Sequence, residues 1–238
     1  MSESVFIEPD KYQVLGRWHV TAFVRDVAAR LPPGTLLLDA GAGECAYRPL
    51  FAHCRYLGMD LAVGEREWDY GELDVAARLE RLPLRDASVD AVLCTQALEH
   101  LEWPREAVAE FYRVLKPGGR LFLTAPMSHC EHQVPHDFFR YTSFGLRSVS
   151  ERAGFCKVDV VPLGGLPMRL AYELPRLLAL FPAAGLRRGP VDWRGLLLLP
   201  MRLMLQALLV SLQRILVRAD RLDRVRNDPF GWKLTAER

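Results

Sequence analysis

Cysteine is scarce in this sequence and shows no pairing. Cys45, Cys54, Cys94, Cys130 and Cys156 are an odd, scattered set without CxxC spacing, which speaks against a disulfide framework and fits reduced thiols. The opening residues lack a secretory leader's basic stretch and apolar run: Met1 to Asp10 is polar and acidic, so the expected compartment is the cytoplasm. No internal repeat or low-complexity tract interrupts the chain. Strong net charge is absent as well: 31 basic against 29 acidic residues leave +2, which by itself gives no sign of a nucleic-acid partner.

What is present is ordinary globular material. With 238 residues and half of them hydrophobic, the chain can build one sizeable core plus a modest extra element. The charge is unevenly spread, however. Leu166 to Arg226 holds eleven arginines against Glu173, Asp192, Asp220 and Asp223, a local +7 that leaves −5 for the remainder. A basic, leucine-rich block joined to a mildly acidic body suggests an added element with its own task.

Hydrophobic spacing predicts a helix over 16–30 and then a buried strand over 35–40 running into Gly41-Ala42-Gly43. Further strands are predicted over 55–60, weakly over 72–75, and over 89–95, 120–125 and 156–161. Helices are predicted over 46–53, 104–115 and 142–154, the last ended by Gly154; Lys116 to Gly119 reads as a turn. Strands alternating with helices in this rhythm predict an α/β, Rossmann-like doubly wound sheet with helices on both faces. Two long apolar helical stretches follow, 167–181 and 196–217, around Arg187-Arg188-Gly189-Pro190. The closing alternation of Phe230, Trp232, Leu234 and Ala236 reads as a half-buried last strand. The expected organisation is therefore one domain formed by residues 1–163 plus 227–238, with a hydrophobic, basic helical insertion at 164–226 between the last two strands.

The stretch from Asp39 to Ala46 carries most of the chemistry. Glycines at a strand-to-helix turn let backbone N–H groups approach a ligand, because no Cβ intervenes. Gly41-x-Gly43-x-x-Ala46 alone also matches a dinucleotide-binding turn. Asp39, just before the glycines, can order the turn and face an ammonium group. Asp60 ends the second strand, where a carboxylate accepts ribose hydroxyls, a feature that suits NAD equally.

From Leu36 to Val161 the sequence resembles the class I S-adenosylmethionine (SAM)-dependent methyltransferase family. Leu36 to Gly43 resembles its first motif, and Leu82-Pro83-Leu84 with Ser88-Val89-Asp90-Ala91-Val92 its "LPF…SFDxV" run. Leu98-Glu99-His100 and Arg113 to Leu121 resemble its "LEH" and "RVLKPGG" signatures, in the same order. The resemblance implies the seven-stranded fold of that family, SAM as cofactor, and a cofactor site drawing on Asp39, Gly41, Gly43, Asp60, Thr95 and Gln96. Members usually carry an acidic residue near the adenine a few positions before the "LP" pair. Here Arg78 stands in its place, and Asp74 with Val75 are expected to serve instead.

Methyl transfer to a hydroxyl needs a nearby base, and the loop after the fifth strand holds His129, His132 and His136. Its run Pro135-His136-Asp137-Phe138-Phe139-Arg140-Tyr141-Thr142 is similar to one in bacterial members associated with sugar and surface-polysaccharide pathways. The expected base is His136, with Asp137 orienting or replacing it; His132, Arg140 and Tyr47 are the expected acceptor-binding residues. Tyr12 and Trp18 are further wall candidates, Trp18 more readily a core residue. His129-x2-His132-x3-His136 with Asp137 also has ligand-like spacing, but the family reaction needs no metal and none is expected.

The leading reading is O-methylation of a small or lipid-linked acceptor, a sugar among the candidates. A non-catalytic SAM-binding or membrane-associated scaffold and, less readily, an NAD-dependent oxidoreductase stay open beside it. Nucleic acid is not an expected partner, since no Asn/Asp-Pro-Pro-Tyr motif is present. In 196–224, Arg202, Gln206, Gln213, Asp220 and Arg224 share a narrow arc while apolar residues fill most of the rest. That width exceeds the core stripe of a surface helix. It fits a helix lying on the inner face of a membrane, with a homodimer interface and a substrate lid as competitors.

Overall fold

A computed structural model describes residues 15–64, 68–180 and 193–238. Helix α1 (Leu15–Arg30) leads into β1 (Leu36–Ala40), followed by β2 (Arg55–Asp60), β3 (Val75–Ala76) and β4 (Val89–Thr95). Then come α2 (Pro104–Val114), β5 (Leu115–Pro126), α3 (Ser143–Ala153) and β6 (Cys156–Leu163). Helices α4 (Leu166–Glu173) and α5 (Trp193–Ala219) precede β7 (Gly231–Glu237).

The seven strands form one sheet in the order β3-β2-β1-β4-β5-β7-β6, as the doubly wound expectation required. All neighbours are parallel except β7, which pairs antiparallel with both β5 and β6. Strand order reverses between β1 and β4. In such sheets the connections leave that point in opposite directions and open a crevice at the carboxyl ends of the strands.

Both faces are covered, so the central strands read as continuous apolar runs rather than alternating ones. On β4, Val92 and Cys94 join the layer packed under α2 and α3 with Phe111 and Leu146. Ala91 and Leu93 join the opposite layer, with Val24 and Val27 of α1 and Met168 and Ala171 of α4. Strand β7 keeps a partial alternation: Trp232, Leu234 and Ala236 are buried, and Lys233, Thr235 and Glu237 are less so.

Several local expectations shift. The helix expected over 46–53 is one 3-10 turn, Arg48–Phe51, with Pro49 in its first turn and no longer ladder to extend it. Strand β3 is two residues long. The Lys116–Gly119 turn is an outward loop inside β5: Val89 pairs with Leu115 and Ala91 with Arg120, so three extra residues bulge out. Gly118 takes a left-handed φ there, and its N–H donates to Arg238. The 167–181 helix ends at Glu173, and a 3-10 stretch runs on from Leu174 to Leu180 through Pro175. Thr142 caps α3 by accepting from the Gly145 N–H at 3.1 Å, and Gly154 ends that helix in the left-handed region. The Arg187–Pro190 break and Tyr12 lie outside the described residues.

The two helices between β6 and β7 pack on each other and on the sheet. Leu209, Gln213 and Val217 of α5 are buried, and Gln213 Nε2 donates to the Ala171 carbonyl of α4 at 3.2 Å. Asp220, just beyond α5, accepts from the Gly165 and Met168 N–H groups at the start of α4. The narrow polar arc of α5 thus turns inward at Gln213 and Asp220, while Met204, Leu208 and Ile215 are more than half exposed.

Leu234 has no exposed surface and sits on the strand that joins β5 to β6. Leu234→Ala is expected to cost about 2–5 kcal/mol. Urea unfolding followed by circular dichroism would check this, and a loss below 1 kcal/mol would show that β7 is not integral to the core.

Candidate active site

The carboxyl ends of β1, β2, β4 and β5 border one cleft of about 740 Å³. At its first end the chain leaves β1 through Asp39 and turns at Gly41, whose φ is +80°. A Cβ on Gly41 would stand 2.3 Å from the Ala97 Cβ. Only glycine therefore lets the turn after β1 press against the turn after β4. The Gly41 and Ala42 N–H groups donate to the Met59 carbonyl, and the Gly43 N–H donates to Asp60 Oδ2 at 3.0 Å. Asp60 Oδ1 accepts from the Ala62 N–H at 2.8 Å. Each oxygen keeps a second lone pair, so the side chain both ties the turn and can still accept from a ligand.

Asp39 is buried beneath this turn. Tyr56 donates its hydroxyl to Oδ2, and Oδ1 has no hydrogen-bond partner. Burial pushes the carboxyl up to about 7. An orphaned acceptor bordering the cleft is what a cationic ligand group would satisfy. After β4, Gln96 adopts a left-handed φ of 50° and donates Nε2 to Thr124 Oγ1 at 3.1 Å; Thr95, Gln96 and Ala97 all border the cleft.

The far end is lined by imidazoles: His100, His129, His132 and His136. The loop after β5 is docked there on the 3-10 turn Leu98–His100. Phe138 and Phe139 donate their N–H groups to the Glu99 carbonyl, Tyr141 donates its hydroxyl to the Leu98 carbonyl, and His100 Nδ1 donates to the His136 carbonyl at 2.5 Å. Burial lowers the pKa values of His100 and His129, favouring the neutral rings. The Glu99 side chain has no exposed surface, neither of its oxygens has a partner, and burial raises its carboxyl to about 8.

Residues 38–123, from β1 through β5, match the family model described as a methyltransferase domain. This chain carries a methyltransferase domain with the class I SAM-dependent methyltransferase fold. The chain is 33% identical over 174 residues to a ubiquinone/menaquinone biosynthesis C-methyltransferase of Methylobacterium nodulans, aligning 67% of this chain with 64% of that protein. It is 33% identical over 99 residues to a tRNA (carboxymethyluridine(34)-5-O)-methyltransferase of Arabidopsis thaliana, covering 40% of this chain and 24% of the relative. The chain thus spans less than two-thirds of either relative. A crystal structure of a SAM-dependent methyltransferase from Archaeoglobus fulgidus shares the fold, with a TM-score of 0.58 at 16% identity over 96% of this chain and 97% of its own. SAM is the cofactor of this family. The side-chain-free cradle at Gly41 and Gly43, the orphaned Asp39 oxygen and the spare acceptor capacity of Asp60 fit it.

The methyltransferase domain brings most of the expected residues to this cleft, including Asp39, Gly41, Gly43, Asp60, Thr95, Gln96, Tyr47, His132 and His136. Asp74 and Val75 are a correction, for neither borders it. Asp74 Oδ2 instead accepts from Arg48 and from the Gly58 N–H, both at 2.7 Å, and latches β2 to the segment before β3. Glu72, Arg78, Leu79 and Glu80 border that part of the cleft instead. Glu80 supplies a carboxylate two positions beyond Arg78. Trp18 does not border the cleft and meets the His19 ring edge-on.

Asp137 and Arg140 are corrections as well. Asp137 does not contact the His136 ring; both its oxygens accept from Arg140, at 2.7 and 2.8 Å, and Oδ2 also accepts from the His132 N–H. The Arg140 hydrogen bonds hold its pKa far below the usual carboxylate range. Arg140 gives its remaining N–H groups to the carbonyls of His129, Cys130 and Phe139, so all five of its donors are used. The pair is a strut inside the loop, and Arg140 has no donor left for an acceptor. The residues missed were Glu99 and His100, which sit inside a motif legible as a signature but not as a site.

Arg140→Ala leaves a nearly buried carboxylate uncompensated and is expected to cost about 3–5 kcal/mol in urea unfolding; an unchanged midpoint would show that the strut is idle. Gly41→Ala is expected to abolish binding of S-adenosylhomocysteine (SAH) in calorimetry and to lower stability, by about 1–2 kcal/mol for the left-handed backbone alone. Retained SAH affinity would refute the close-approach account.

Proposed function

We propose that this chain transfers the methyl group of SAM to a hydroxyl of a small or lipid-linked acceptor, a sugar among the candidates. One observation carries the reading: a single cleft joins the glycine turn and Asp60 to a wall of four imidazoles. The cofactor supplies an electrophilic methyl on sulfur. The protein's work is then to hold the acceptor in line and remove its proton. Asp60 accepts the ribose hydroxyls, Asp39 faces the ammonium end, and the backbone at Gly41 and Gly43 lies against the cofactor. Leu79 and Glu80 border the adenine end. His136 is exposed on the cleft and takes the acceptor's proton. Tyr47 and His132 line the acceptor's path, and the Asp137–Arg140 strut keeps the loop bearing these imidazoles in place.

A lipid-linked acceptor and a place on the inner face of the membrane are supported by α5. Residues Leu199–Leu222 are long and apolar enough to cross a membrane, with mean hydropathy 1.3. Yet α5 is held to the body of the protein, by the Gln213–Ala171 hydrogen bond and the buried Leu209 and Val217, and spanning would strip those contacts away. Lying in the interface, with Met204, Leu208 and Ile215 in the acyl region and arginines at the headgroups, leaves them intact. A quinol ring is a second acceptor class, favoured by the 174-residue similarity to the quinone C-methyltransferase; its phenol needs the same proton removal before carbon is methylated.

His136→Ala is expected to lower kcat by about 10²–10⁴ with SAH affinity unchanged; full turnover would remove His136 as the base. Because Asp39 must be ionised to hold an ammonium and its carboxyl sits near 7, SAH affinity is expected to rise about tenfold between pH 5.5 and 7.5. Asp39→Asn should flatten that profile, and a flat wild-type profile would sink this role. In flotation with anionic vesicles the full chain is expected to rise with the lipid and Met204→Glu/Leu208→Glu to stay behind; equal recovery would refute membrane docking.

A further inference from the structure

The imidazole end of the cleft contains an arrangement that proton removal does not explain. Glu99 is wholly buried, both its oxygens lack partners, and His100 Nε2 is likewise buried without one. The two face each other at 4.0 Å, too far for a hydrogen bond. A lone buried carboxylate is costly unless it is protonated, paired or bound to a cation. Arg140, whose positive charge acts on it, has committed all five donors elsewhere.

His132 completes the group. One ligand atom from each of Glu99, His100 and His132 lies within 4.8 Å of the others, and the His100 and His132 rings meet edge to face with centroids 4.6 Å apart. Each imidazole is oriented from behind by a backbone carbonyl. His100 Nδ1 donates to His136, and His132 Nδ1 lies 3.1 Å from the Cys130 carbonyl and 3.3 Å from Asp137 Oδ2. A proton held on Nδ1 leaves Nε2 with its lone pair free. Metal-binding histidines are prepared in this way, the outer N–H given to a carbonyl or carboxylate that sets tautomer and ring angle.

We propose that Glu99, His100 and His132 bind one divalent cation of the zinc type. Two imidazoles and a carboxylate form the donor set of borderline metals rather than of magnesium or calcium. His100 and His132 also border the cleft, so a fourth position opens toward the acceptor. There a cation would hold the acceptor's oxygen and lower its pKa beside His136. This set differs from the loop histidines suggested by spacing: Asp137 is paired with Arg140, and among the described residues the convergent group recruits Glu99 and His100 from the turn after β4.

The use of the cation rests on the methyl-transfer reading, but its binding does not. The test is therefore a titration without cofactor: full-length protein stripped with EDTA, dialysed, and titrated with Zn²⁺ alone in a calorimeter, with Co²⁺ visible absorption as a coordination signature. One equivalent per chain is expected. Glu99→Gln and His132→Asn should each weaken Zn²⁺ at least about tenfold, while Cys130→Ser, which removes the exposed neighbouring thiol, should bind as the wild type does. SAH binding on the same samples reports folding and the cofactor site separately. Should Glu99→Gln fail to fold, the partly exposed His132 carries the comparison. No stoichiometric uptake by the wild type, or undiminished affinity in His132→Asn, overturns the proposal.

Discussion

Contact between two turns governs this molecule. The chain leaving β1 and the chain leaving β4 meet where Gly41 lies against the Ala97 side chain, with no room for a Cβ. Reversal of strand order at this place opens the crevice, and the missing side chain lets the backbone form its floor. Asp60 reinforces the approach from the next strand by taking the Gly43 N–H, and Gln96 accepts a left-handed backbone on the other side. Strain at one turn and a buried acid at the other, Asp39, are the costs of keeping a polar cavity inside an otherwise apolar sheet.

The second half of the cleft is assembled by docking rather than by the sheet. The loop after β5 has little regular structure, yet its carbonyls and N–H groups are consumed by Arg140, by Asp137 and by the backbone of the Leu98–His100 turn. A salt bridge that is mostly buried contributes through geometry here: it fixes the positions of its neighbours more than it adds stability. Four imidazoles consequently face one volume, and Glu99 is sealed behind them.

Helix α5 inverts the usual amphipathic logic. Gln213 and Asp220 turn toward the body beside Leu209 and Val217 and find backbone partners on or beside α4, while Met204, Leu208 and Ile215 face outward. Among the described residues this leaves an apolar surface of the kind that marks interaction sites. The polar residues serve as internal caps and clasps that hold the helix to the protein while its apolar side stays available.

The fold was legible in the chain because local patterns determine it. Short buried runs separated by helical periods specify a doubly wound sheet, and Asp39 to Gly43 together with Asp60 mark its ligand edge, since both lie within a residue or two of a strand end. The alternation of Phe230, Trp232, Leu234 and Ala236 likewise announced the last strand. Side-chain partnership was not legible, for it is a property of distance across the fold. Asp74 was taken by Arg48, and Asp137 by Arg140 rather than His136. Glu99, an unremarkable letter in a signature, became a buried acid between two histidines 32 residues apart in the chain. Sequence alone determined which backbone turns could form, because φ preferences and apolar spacing act between neighbours. Tertiary structure alone decided which charges meet, because burial and Coulomb energy depend on what the folded chain brings within a few ångströms.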